Sequence, residues 1–186
     1  MASEQDVSLV STSYMAEMFN DALYYLHEAR NASDELTKHR YNRSSIINFC
    51  TSAEAAMAKV IHKHLSQFKN ELRNREDKLL FKSLNNPVIK PPKSFKSIPG
   101  KIEIIERLLA QKFPEEIKKA YIQLTKLRNK IIHFDSSNKL IVYNDGIVEK
   151  MAIRAPQIVG DFITQLFKMI GLNSEDGFQT KRVHSY

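Results

Sequence analysis

A single cysteine, Cys50, stands among 186 residues. No disulfide can close within such a chain, no cysteine-based zinc site can form, and the usage suits a reducing compartment. Glycine is almost as scarce, at 5 residues, which argues against turn-rich sandwiches and in favour of helices. No apolar run approaches the roughly 18–20 residues of a membrane span. The opening MASEQDVSLVSTS has neither the basic region nor the apolar stretch of a secretory leader. The expectation is a soluble, cytoplasmic protein with no membrane association. HExxH, Walker A and dinucleotide fingerprints are all missing. His62 and His64, two apart on a helix, point to different sides and make no metal pair. Neither a metal nor a cofactor is expected.

The residues present fit one domain with a sizeable core, since 42% are hydrophobic and 26% charged. The net charge is +7 and the pI about 9.4. Such a balance favours an anionic partner, nucleic acid before membrane surface, although a soluble basic protein with neither partner has the same charge.

Apolar spacing predicts where the helices run. Residues 1–13 read as a flexible arm, 14–171 as the domain and 172–186 as a flexible tail. Tyr14, Met18, Ala22, Tyr25, Ala29 and Leu36 recur at helical spacing, with HRYNRSS (39–45) as the connection that follows. Ile46, Cys50, Ala53, Met57, Val60, Ile61, His64, Phe68 and Leu72 mark a second helix running into the charged stretch around Arg73. Residues 83–100 carry Pro87, Pro91, Pro92 and Pro99 and read as a long Pro/Lys-rich loop. A third helix holds Ile102, Ile105, Leu108 and Leu109, and a fourth opens at Pro114. KLIVYNDGIVEKM (139–151) predicts a β-hairpin turning at Asp145-Gly146. A last helix begins near Pro156 and stops at Gly171. The fold class is all-α, a bundle of about five helices with one small β-hairpin.

Chemistry concentrates in TKLRNKIIHFDSS (125–137), which sets Arg128, Asn129 and His133 beside an apolar helical turn. These types suit phosphodiester chemistry without a metal. A histidine can move protons on an attacking 2′-hydroxyl or a leaving 5′-oxygen. An arginine can hold the non-bridging oxygens through its planar fork, and Asn129 can orient a side chain or hold substrate. Equally, cations near a helix C-terminus suit the dipole and need no further role. Five residues apart on a straight helix, Arg128 and His133 lie about 140° apart around the axis. Convergence therefore requires the helix to end or distort near Ile132, or each residue to reach one cleft from a different edge.

LRNKIIHF resembles the motif of the HEPN domain family, an arginine, a polar residue and a histidine a few positions on. Arg128, Asn129 and His133 match it. The helix SIINFCTSAEAAMAKVIHKHL is also similar to that family's long helix, and the resemblance covers about residues 14–170. It implies a metal-independent endoribonuclease. RNA would be cut by attack of its own 2′-hydroxyl, with His133 as acid/base and Arg128 stabilising the phosphate. It further implies a homodimer whose two motifs face one cleft, a toxin or phage-defence role, and an antitoxin or nucleotidyltransferase partner. The alternative is a non-catalytic module of the same fold that binds RNA, a nucleotide or a partner protein.

Glu54 lies close to the apolar stripe of the second helix, where an unpaired carboxylate is costly. Either it pairs with Arg128, orienting it and tuning His133, or it sits on the stripe's edge in solvent. Glu103 and Glu106 share one face of a short helix and read as surface carboxylates. Lys126 and Lys130 beside the motif, and Lys90, Lys93 and Lys96 in the Pro-rich loop, are candidate RNA contacts, the loop lysines forming with Lys101 a basic flap that has no acidic residue. A solvated surface would place them no differently.

Overall fold

The computed structural model describes residues 13–133 and 145–172. Six α-helices are present among them: α1 (Tyr14–Asn31), α2 (Glu35–Gln67), α3 (Arg75–Asn85), α4 (Ile98–Leu108), α5 (Glu115–Ile132) and α6 (Asp145–Met169). A short 3-10 turn, Lys93–Lys96, precedes α4. No strand occurs among the described residues, so the all-helical expectation holds. No helix there is long and apolar enough to cross a membrane.

The 33-residue α2 is the axis of the molecule, about 50 Å long from its rise per residue. Helices α1, α3, α4, α5 and α6 all pack against it. Met15, Phe19, Ala22, Leu26 and Ala29 line the buried face of α1, where Phe19 meets Phe49 of α2 edge-on at 5.0 Å. Two buried hydroxyls of α2 join the pair. Ser45 donates to the Ala22 carbonyl at 2.9 Å and Ser52 to the Met15 carbonyl at 2.7 Å. The numbers rise on one helix as they fall on the other, so α1 and α2 are antiparallel. The opposite flank is closed by aromatics, Phe162 of α6 stacking on Tyr121 at 4.1 Å and on Phe113 at 4.8 Å.

Several expected boundaries move. The chain breaks between α1 and α2 at residues 32–34, not at HRYNRSS, which is helical throughout. Asp34 makes the break effective: its side chain accepts from the Thr37 N–H at 2.8 Å and starts a new helix. Helix α2 ends at Gln67, and Asn74 caps a separate α3 by accepting from the Glu76 N–H. Helix also enters both ends of the expected Pro/Lys-rich loop. Residues up to Asn85 belong to α3, and α4 begins at Ile98 with Pro99 in its first turn, where a missing N–H costs nothing.

The β-hairpin is not seen. Its expected turn, Asp145-Gly146, and its second arm, Ile147 to Met151, lie in the first turns of α6. Val148, Ala152, Ala155, Val159, Phe162 and Leu166 are all buried at helical spacing. Val148 is thus in phase with the core stripe of the last helix while Ile147 stays exposed, and packing against α2 outweighs strand preference. The first arm, 139–144, lies outside the described residues, as do the arm's residues 1–12 and the tail's 173–186. Pro156 sits inside α6 rather than at its start, and Gly171, at φ 72°, ends the helical region as expected.

Candidate functional site

The face of α5 that meets α2 carries Tyr121, Leu124 and Arg128. Seven residues are almost two full turns, so Tyr121 and Arg128 stand above one another. Cys50 and Glu54, four apart on α2, face them. The Tyr121 hydroxyl lies 3.5 Å from the Cys50 carbonyl, and the Arg128 guanidinium donates from Nη2 to Oε1 of Glu54. Glu54 is therefore paired with Arg128, one of its two readings from sequence.

A third helix completes the cluster. Lys101, on the first turns of α4, donates from Nζ to Oε2 of Glu54 at 2.6 Å. Its ammonium also lies 5.3 Å from the centre of the Phe95 ring, within the range of a cation–π contact. Gly100 allows this approach. A Cβ at that position would stand 2.0 Å from the Ser94 carbonyl oxygen, so only glycine lets the 3-10 turn lie against α4. Glu54 thus joins α2, α4 and α5, with one cation on each oxygen. The side chains of Glu54, Arg128 and Lys101 are 26%, 18% and 12% exposed, so the cluster is shielded yet open to solvent at one side. Arg128 Nε is buried with no hydrogen-bond acceptor among the described residues.

The neighbours of the cluster are electrically quiet. Burial pushes the Cys50 thiol up to about 12, against the pull of Arg128, and the thiol is inert near neutral pH. Burial likewise raises the Tyr121 phenol well above its ordinary value. Neither is an acid or base for chemistry near neutrality. Beyond Glu54, a surface groove of about 560 Å³ runs between the start of α1 and α2, past Tyr14, Met15, Ala55, Ala58 and Lys59.

The remaining motif residues lie differently. Asn129 is exposed, and its carbonyl accepts the His133 N–H at 2.8 Å. His133 is the C-cap of α5, with φ −101° and ψ 59°, and its side chain is exposed. The helix ends at Ile132, where convergence would require it. Even so, no hydrogen bond or ion pair joins the side chains of His133 and Arg128 among the described residues. Of the expected RNA contacts, Lys90, Lys93, Lys96 and Lys126 are exposed and Lys130 is half-buried. Lys101, which follows the loop lysines in sequence, turns inward to Glu54, a role its neighbours gave no sign of. Among the described residues no three His, Cys, Asp or Glu side chains are grouped as metal ligands.

Comparisons of the chain with known protein families, curated proteins and solved structures find no match.

Proposed function

We propose that this chain is a HEPN-like, metal-independent endoribonuclease. The reading rests on one observation above the rest: Arg128 is anchored by Glu54 near the end of α5, and His133 is exposed at the cap immediately beyond. In the proposed reaction His133 takes the proton of the substrate's 2′-hydroxyl. The freed oxygen attacks the adjacent phosphorus, the bond to the 5′-oxygen breaks, and that oxygen leaves with the proton that the His133 imidazolium gives back. The products carry a 2′,3′-cyclic phosphate and a 5′-hydroxyl. Arg128 holds the non-bridging oxygens as charge develops on them, Glu54 fixes its orientation, and Asn129 contacts substrate from the exposed side. A homodimer brings the His133 of one copy toward the Arg128 of the other, which removes the demand for convergence within one chain. Exposed lysines 90, 93, 96 and 126 contact the RNA backbone, which makes binding weaken with salt. A toxin or phage-defence effector, controlled by an antitoxin or nucleotidyltransferase, is the biological setting of this reading.

A second reading is favoured by one specific feature. Arg128 is already engaged by a carboxylate, and His133 is not bonded to it. A non-catalytic module that binds RNA, a nucleotide or a protein needs no more than this. Incubation of wild-type and His133→Ala protein with mixed cellular RNA in EDTA separates the two. Cleavage by wild type alone, with cyclic phosphate on the products, supports the ribonuclease. Cleavage that survives His133→Ala removes the role assigned to His133. Salt-sensitive binding with no cleavage by either protein selects the binding module.

A further inference from the structure

A guanidinium and a carboxylate commonly meet through two parallel N–H···O bonds. Arg128 and Glu54 meet through one, from Nη2 to Oε1, while Oε2 is taken by Lys101 at 2.6 Å. The consequence is visible on Arg128, whose Nε–H is buried without a hydrogen-bond acceptor among the described residues. An orphaned donor of that kind is uncommon in folded proteins and calls for a cause. The charge count points the same way. One carboxylate faces two cations, so the cluster keeps a single net positive charge in a setting where Glu54, Arg128 and Lys101 are only 26%, 18% and 12% exposed. Had Glu54 met Arg128 alone, the pair would be neutral.

We propose that Lys101 is a positioning residue. By holding Oε2 of Glu54 it keeps Arg128 from being fully paired, and it leaves the cluster with an uncompensated positive charge that receives a phosphate. The fold supports this use of Lys101. The 3-10 turn brings Phe95 against its ammonium, and Gly100 provides the space for that turn. The inference deepens the ribonuclease reading and rests on it for the phosphate being that of RNA; the anion site itself can be tested without cleavage.

The test follows the Nε–H resonance of Arg128 by ¹⁵N NMR, assigned by its loss in Arg128→Lys, during titration with inorganic phosphate. The wild-type signal is expected to shift. In Lys101→Met the apparent affinity for phosphate falls about tenfold, the scale of one lost charged contact, and Lys101→Arg restores it. Lys101→Gln retains a donor for Oε2 but not the charge. It also weakens binding, and it carries the test if Lys101→Met does not fold. A wild-type signal indifferent to phosphate, or charge-free variants that bind phosphate as wild type does, overturns the proposal. A parallel assay with a short RNA in EDTA separates the two ideas. There Lys101→Met raises KM more than it lowers kcat. If phosphate binding depends on Lys101 but wild type cuts no RNA, the ribonuclease reading falls and the anion site stands. If wild type cuts RNA and Lys101→Met cuts it equally well, only the role of Lys101 falls.

Discussion

Glu54 and Glu106 each hold two cations, and they do so in opposite ways. Glu106, at the end of α4, accepts from Lys112 at 3.0 Å, from Lys118 at 3.3 Å and from the Phe113 backbone N–H at 3.2 Å. Its partners lie within the next turn and helix. Its side chain is 2% exposed while that of Lys112 is 83% exposed, so the anion is buried and a cation covers it from solvent. Burial alone would push the Glu106 carboxyl up, but Lys112, Phe113 and Lys118 together outweigh it and hold it below the ordinary carboxylate range. At Glu54 the order is reversed. The carboxylate is the most open member, the cations are the more shielded ones, and they come from 47 and 74 residues away. A buried anion between one surface lysine and one partly buried lysine clamps a local turn. A half-open anion gripping two partly buried cations gathers three helices around a net positive charge.

The contrast is sharpest in stability. Glu106→Ala orphans the buried Phe113 N–H and strands Lys118, and should cost about 3 kcal/mol in urea denaturation. The phosphate response of Arg128, per folded molecule, should not change. If Glu106→Ala is silent in stability, or alters Arg128, the two clusters are not separate devices.

Gly100→Ala comes next, at about 2 kcal/mol, because the new methyl has backbone rather than a flexible side chain in its way. Unlike Glu106→Ala it should also disturb the phosphate response, since the displaced backbone is adjacent to Lys101. Glu54→Gln should be milder, about 1 kcal/mol, because the amide oxygen still accepts one bond and the site is partly open. RNA cleavage should nevertheless fall steeply, the amide being unable to hold Arg128 as a charge does. A large stability loss with unchanged cleavage would make Glu54 a clamp like Glu106.

How much of this was legible in sequence follows from what periodicity can report. The stripe of α2 is an intrahelical regularity, so the bundle could be read in advance, and the cost of an unpaired carboxylate beside that stripe made a partnership with Arg128 one of two readings for Glu54. Lys101 could not. It is one lysine in a run of lysines, and only the fold of residues 93–100 turns it inward. Glu106 read as a surface residue because its partners lie beyond a turn, at Lys112, Phe113 and Lys118, where helical phase carries no information. The hairpin misreading has a different cause. Asp145-Gly146 followed by β-branched residues is a strong local strand signal, yet Val148 falls in register with Ala152 and Ala155, and the buried helical face decides.

The smallest expected effect lies in acid. The folded Glu106 carboxyl is held below its ordinary value of 4.5, so as pH falls the unfolded chain binds its proton first. The stabilisation is therefore fully present above 4.5 and is lost as pH drops through the folded value. Urea midpoints measured from about pH 6 to about pH 3 should show wild type losing stability more steeply than Glu106→Gln, which has no proton to bind at that site. Lys118→Met, which removes one of the cations holding the carboxyl down, should give an intermediate slope. Glu106→Gln retaining the full wild-type slope would mean that the acid sensitivity originates at other carboxylates. The clamp at the α4–α5 turn would then be a matter of the Phe113 hydrogen bond rather than of charge.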